Sequence, residues 1–179
     1  NTVAVMGALR DIYQEKPQAV VLVGAYSAGA EFIKLSRNKI DEKMIFGNIS
    51  FVGTESLREA LGGYGRDVVV SQVVPSPYDS RLALIDEFKK TMAKYQHDAP
   101  LSFTSLEGFI VGKLFGEIAL AVREELTRES FFATMETVGR FDLGGLVLQF
   151  GPLDHQGMDR VYLTRLYPVM QEIPASRAL

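Results

Sequence analysis

Three side chains of this chain stand in the order that acyl-transfer chemistry uses. Ala25-Tyr26-Ser27-Ala28-Gly29 falls between an apolar run and a helical pattern, and departs from the nucleophile elbow G-x-S-x-G only at Ala25. Asp142 and His155 follow, completing the chain order Ser, Asp, His. Against a serine hydrolase, no Gly-rich oxyanion segment precedes Ser27 and too few strands lie upstream. The reading requires Ser27 to lie within hydrogen-bond reach of an imidazole. The bland alternative makes Ser27 a helix N-cap. A second group of residues suits binding rather than catalysis. Glu55 and Tyr26 each follow a strand-like run, at the mouth of a sheet, where open α/β folds place ligands. Tyr26 offers a ring to stack on and a hydroxyl to bond, or is simply a half-buried loop tyrosine. Glu55 is otherwise an acidic residue in the first turn of a helix, where it complements the dipole.

Other chemistries are poorly served. The chain has no cysteine, which removes disulfides, thiolate catalysis and Cys-based zinc sites. Its two histidines, His97 and His155, lie far apart in polar turns, so no metal site is expected. No G-x-G-x-x-G occurs, and Gly62-Gly63-Tyr64-Gly65 lacks the strand before it and the helix after it that a dinucleotide site needs. No cofactor is expected. Nineteen Lys and Arg against 22 Asp and Glu give a net charge of −3, without the basic field that nucleic acid requires. Hydrophobic residues make up 47% of 179, enough for one sizeable core or two small ones. No apolar run approaches the ~18 residues of a membrane span.

The elements that must position these residues are legible from periodicity. Val5, Leu9 and Ile12 share a helix face that Pro17 ends. Ala19 to Val23 is a continuous apolar run that suits a parallel strand buried on both faces. Ala28, Phe32 and Leu35 mark a second helix, Ile49 to Val52 a second strand, and Gly53-Thr54-Glu55-Ser56 the start of a short helix. Val68 to Val74 is a third strand. This alternation implies an α/β sheet with right-handed crossovers. Pro75-Ser76-Pro77 then forms a stiff connector and a boundary. Ile85, Phe88, Met92 and Tyr95 share one helix face. A long helix runs from about Ser105 to Glu125, with Ile110, Leu114, Ile118 and Ala121 inward. Phe131, Phe132, Met135 and Val138 mark a helix ended by Gly139. Gly144-Gly145 precedes the strand Leu146 to Phe150, Asp154-His155-Gln156-Gly157 is a turn, and Val161 to Tyr167 is a last strand.

Several stretches, in this order and spacing, resemble the branched-chain amino-acid-binding proteins of ABC transporters and the related extracellular receptor domains. They are Lys16 to Tyr26, Phe51 to Leu57, Asp67 to Pro77, Ser105-Leu106-Glu107-Gly108-Phe109, and Gly144-Gly145 with the turn and strand that follow. The resemblance covers nearly the whole chain. It implies a type I periplasmic-binding-protein fold, with two α/β lobes joined by crossing strands and a small ligand captured between them in the manner of a Venus flytrap. On it, residues 1–74 belong to the second lobe, 75–158 to the first, and 159–179 return to the second. The half that holds most of the first lobe is expected upstream, together with an export signal to the periplasm or cell exterior. No catalysis is implied. The partners implied are an amino-acid-like ligand and a membrane ABC permease, or a fused signalling domain if the protein is a receptor. Apolar surface left uncovered would favour self-association.

The resemblance also assigns roles. An amino acid zwitterion needs an acidic acceptor for its ammonium and donors for its carboxylate. Glu55 matches the position that takes the ammonium, and the loop Ala25-Tyr26-Ser27 supplies an aromatic wall with polar contacts. Phe103 and Glu107, opening the long helix, face the cleft on this reading. They are otherwise a core phenylalanine and a solvated glutamate. Tyr26 and Phe103 hint at an apolar or aromatic ligand.

Overall fold

The computed structural model describes residues 2–39, 44–166 and 170–174. The chain divides into two compact units, Asn1–Pro75 with Val161–Leu179, and Ser76–Arg160.

In the first unit, the stripe of Val5, Leu9 and Ile12 turns helix α1 (Met6–Gln14) toward the core, with Leu9 buried. Strand β1 (Ala19–Leu22), helix α2 (Tyr26–Lys39), strand β2 (Ile45–Ile49), helix α3 (Thr54–Leu61) and strand β3 (Val68–Gln72) follow in alternation. The three strands are parallel and hydrogen-bonded in the order β1-β2-β3. Period-2 alternation puts Val20, Phe46, Val68 and Val70 on one face, where they meet Leu9, Ile33, Leu57 and Leu61 from the helices in one apolar cluster. Tyr13 Oη and Ser36 Oγ, 2.7 Å apart, tie α1 to α2. Arg37 on α2 donates to the carbonyls of Tyr64 and Arg66 and lies 5.3 Å over the Phe46 ring. It thereby closes the loop that feeds β3.

Two expectations change here. Burial of β1 on both faces does not occur, because α1, α2 and α3 all feed one core. Val21 stays 72% exposed and Ile45 53% exposed on the opposite face. The second strand is Ile45–Ile49 rather than Ile49–Val52, and Ser50–Val52 is a 3₁₀ turn. Gly47 and Asn48 weaken the local strand signal. Pairing of Val20 with Phe46 and Phe46 with Val68 overrides it. After the turn, Gly53 at φ 75° takes the left-handed conformation that starts α3.

The second unit contains α4 (Ala83–Tyr95), α5 (Phe103–Ala121), α6 (Arg128–Val138) and an antiparallel hairpin of β4 (Arg140–Asp142) and β5 (Val147–Gln149). Reciprocal capping boxes start two helices. Ser102 and Ser105 cap α5, which begins at Phe103, two residues before the expected onset, and Thr127 and Ser130 start α6. Leu84, Ile85, Phe88, Leu106, Ile110 and Ile118 are buried. Tyr95, placed on one face with Ile85 and Phe88, is 64% exposed at the last turn of α4, and Ala121, expected inward, is also exposed. Gly139 at φ 67° ends α6 as its position predicts. The hairpin turn is built on Asp142, whose Oδ1 accepts the N–H groups of Gly144 (3.1 Å) and Gly145 (2.7 Å). Both glycines have positive φ. Gly144 presses against α4, its carbonyl accepting the Leu84 N–H at 3.0 Å.

The chain then returns to the first unit as β6 (Tyr162–Arg165), antiparallel to β3, and β7 (Gln171–Ile173), antiparallel to β6. The five-stranded sheet runs β1-β2-β3-β6-β7. Tyr167, the last residue of the expected final strand, lies outside the described residues. The three-residue strands β4 and β7 carry no pattern of their own and were not expected.

Two outcomes follow for the hairpin turn. A Cβ on Gly144 would stand 2.8 Å from the Leu84 nitrogen at φ 102°. Gly144→Ala is expected to lower stability by about 1–3 kcal/mol, measured by denaturant unfolding. The N–H bonds from Gly145, then Gly144, hold the Asp142 carboxyl below its usual range. Its contribution is therefore present above the ordinary carboxylate pKa and is lost as pH falls through the lowered value. Asp142→Asn, which keeps an acceptor oxygen, is expected to flatten that acid-side loss in thermal melts taken from neutral pH to below about pH 4.

Candidate functional site

Parallel strands end together, so the segments after β1, β2 and β3 emerge at one edge of the sheet. Leu22 pairs with Asn48, and Asn48 with Val70, which fixes the level of that edge. Tyr26 is the first residue of α2 and is 44% exposed. Glu55 is the second residue of α3 and is half-buried. Both thus lie in the first turn of a helix launched from adjacent strands, where the positive end of each helix faces outward. The 3₁₀ turn between β2 and α3 adds Phe51, 75% exposed at the same edge. An exposed aromatic in a short turn was the available sign of it, and the expected strand over Ile49 to Val52 hid it.

Ala25 is half-buried and its carbonyl accepts the Gly29 N–H at 3.2 Å, so Ala25 holds the position before the helix. Ser27, expected as N-cap, lies instead inside the first turn and is exposed. The local geometry of a nucleophile elbow is not found at Ser27 among the described residues. A nucleophile elbow puts its serine on a strained strand-to-helix turn. Among the described residues only Lys16 and Asp67, apart from glycines, have positive φ. His155 Nε2 lies 2.8 Å from Glu136 Oε1 and its ring stacks on Phe132. The Asp142 carboxylate is committed to the glycine turn. His97 is exposed beside Asp98. No cluster of three His, Cys, Asp or Glu suits a metal among the described residues.

In the second unit, Phe103 is 5% exposed at the start of α5, and Glu107 is exposed one turn on. These are the burial states of a core phenylalanine and a solvated glutamate. A hollow of about 840 Å³ lies along α5 and α6, lined by Leu120, Arg123, Glu124 and Val138 among others. It contains none of the candidate site residues named from the sequence.

Below the sheet edge, two carboxamides were missed. Asn48 on β2 is 3% exposed and Gln72 on β3 fully buried. Gln72 Nε2 donates to Thr54 Oγ1 at 2.7 Å, joining β3 to the first residue of α3. Asn48 Nδ2 and Oδ1 have no partner among the described residues, nor does Gln72 Oε1. Asn48 lines a cavity of about 130 Å³ with Val5, Leu22, Val23, Gly24, Ala28, Gly29 and Phe32. A polar residue inside an apolar alternation is the signal that would have found it.

Comparison with known proteins accords with this architecture. The family model described as periplasmic binding protein matches residues 2–167. A possible leucine/isoleucine/valine-binding protein from Rhodopirellula baltica SH 1 is 35% identical, with a TM-score of 0.91 over 99% of this chain and 49% of that one. A branched chain amino acid ABC transporter protein from Thermus thermophilus, solved with bound valine, is 14% identical with a TM-score of 0.79 over 96% of this chain and 49% of its own. A solute binding protein from R. palustris in complex with benzoate is 20% identical with a TM-score of 0.70, covering 96% and 46%. The last two show the shared fold. A search of curated proteins found no match. The chain spans about half the length of these structures. The matched proteins are substrate-binding proteins and not enzymes. With one family match across 2–167 and 35% identity across 99% of its length, the chain belongs to the periplasmic binding protein family.

Proposed function

We propose that this chain is part of an extracytoplasmic solute-binding protein that captures an amino acid or similar small molecule for uptake by an ABC permease. Asn1–Pro75 with Val161–Leu179 is read as one lobe of the complete protein, and Ser76–Arg160 as part of the other. The observation that carries the reading is the shared edge of β1 and β2. It sets an aromatic ring, Tyr26, and a carboxylate, Glu55, in the first turns of successive helices. A ligand ammonium needs an anionic acceptor once desolvated, because a buried unpaired charge is costly. Glu55 supplies that charge, and Tyr26 supplies a flat apolar wall with a hydroxyl at its end. The exposed Phe51 extends the apolar side of the same edge. A relative solved with valine and another described as a possible leucine/isoleucine/valine-binding protein favour an apolar α-amino acid. By the resemblance, Phe103 and Glu107 at the start of α5 are also read as ligand-contacting residues.

A sensory role is the second reading. It is favoured by one neighbour described as an extracellular ligand-binding receptor from Verminephrobacter eiseniae ef01-2, 24% identical with a TM-score of 0.78 over 92% of this chain and 47% of that one. Both readings share the pocket and differ only in the partner.

The test is calorimetric titration of the complete protein with leucine and valine. Charge-assisted hydrogen bonds are worth about 1.5–3 kcal/mol, so Glu55→Gln is expected to weaken binding by roughly 10- to 150-fold. Unchanged affinity would remove Glu55 from the site. Tyr26→Phe is expected to bind nearly as the parent does, and Tyr26→Ala about tenfold more weakly, reflecting the ~0.5–1.5 kcal/mol of an aromatic contact. Equal losses in both variants would assign the effect to the hydroxyl instead of the ring.

A further inference from the structure

We propose that the cavity beside Asn48 is a subsite for a small neutral group that both donates and accepts a hydrogen bond, such as an amide or hydroxyl on an apolar stem. The inference deepens the reading of this sheet edge as a ligand site and rests on it. Asn48 is 3% exposed, and both polar ends of its side chain lack a partner among the described residues. Buried polar groups are nearly always paired, so an orphan of this kind points to something that completes it. Gln72, on the neighbouring strand, spends its donor on Thr54 and leaves only its oxygen without a partner among the described residues.

The walls define the chemistry. Val5, Leu22, Val23, Ala28 and Phe32 are apolar, and no lining residue carries a charge. An ion placed there would lose its hydration without a countercharge. Whichever way the amide is turned, one end of Asn48 donates and the other accepts. A carboxylate would satisfy the first and leave the second unpaired. The first turn of α2 adds a donor, because the N–H of Ala28 has no intrahelical partner, whereas that of Gly29 is taken by Ala25. The volume, about 130 Å³, is close to the ~150 Å³ that accommodates a six-carbon ring. Gly29 keeps the space open. A Cβ there would stand 3.8 Å from Asn48 Oδ1, at ordinary contact distance, and would occupy the approach to that atom.

The test uses the complete protein labelled with nitrogen-15. The side-chain NH₂ signals of Asn48 are assigned by their absence in Asn48→Leu. The probes are isobutyramide and isobutyrate, which have the same shape and differ in charge. Isobutyramide is expected to shift the Asn48 signals saturably and to bind at least ~10-fold more tightly than isobutyrate, since a missing hydrogen-bond partner costs that much or more. Asn48→Leu is expected to lose isobutyramide binding and to melt at the same or a higher temperature, because it removes two unpaired atoms. Gly29→Ala, which fills the approach at a position where alanine favours helix, is expected to weaken isobutyramide binding without loss of stability. The proposal is overturned if isobutyramide leaves the Asn48 signals unmoved, which means water alone fills the cavity. It is overturned equally if isobutyrate binds as well, or if both variants bind isobutyramide like the parent. Glu55→Gln separates the two ideas. It tests leucine affinity and leaves the isobutyramide shift in place, so the zwitterion reading can fail while the subsite stands, and the reverse.

Discussion

The first unit depends on the hydrogen-bonded register of three parallel strands. Because side chains alternate with period 2, the pairing of Val20 with Phe46 and Phe46 with Val68 puts a row of apolar side chains on one face. The same pairing carries Asn48 and Gln72 to that face two and four residues further along their strands. A slip of one residue in β2 would expose Phe46 and turn Asn48 out of the core. The apolar core and the buried carboxamides are therefore held by one constraint. Phe46 is fully buried and the Arg37 guanidinium lies over its ring, so the strand cannot move without disturbing α2 and the loop before β3 as well.

Parallel pairing also explains why candidate ligand groups gather at one end. Each helical crossover returns the chain to the same starting edge, so each strand delivers its following segment to the opposite one. What arrives there is set by local choices. Ala25 before α2 places Tyr26 at the helix start, and Gly53 in the left-handed region turns the chain from the 3₁₀ segment into α3, bringing Glu55 into the first turn. The helix ends favour acceptors and anions, which suits Glu55, a half-buried residue, as a dipole partner at a site read as facing ligand.

The second unit has a different economy. Its helix α5 is largely apolar apart from Glu107, Lys113 and Glu117, and Val111, Phe115 and Leu120 remain exposed at 61%, 56% and 89%. Helices of this composition ordinarily sit inside a protein. The first unit leaves a comparable apolar strip on Val21 and Ile45. Polar geometry carries local order where cores are small. Two capping boxes start α5 and α6, and one aspartate holds the glycine turn of the hairpin.

Much of the architecture was legible without coordinates. The i, i+4, i+7 stripe of α1, the apolar runs of β1 and β3, the glycine that ends α6 and the order of elements are local patterns, and backbone geometry converts them directly into structure. The α/β class and the sheet-edge placement of Tyr26 and Glu55 followed from them, whereas the family was indicated by the resemblance of several stretches to branched-chain amino-acid-binding proteins. Tertiary structure decided what depends on partners. It placed β2 on Ile45–Ile49, because neighbouring strands supplied hydrogen bonds that Gly47 and Asn48 do not advertise. It exposed one face of β1, because all three helices fell on the other. It moved Ser27 inside α2 and gave Asn48 a cavity. Sequence records which residues favour a conformation, whereas the fate of a polar atom inside a fold depends on groups distant in the chain. Only the folded arrangement can show which of them it meets.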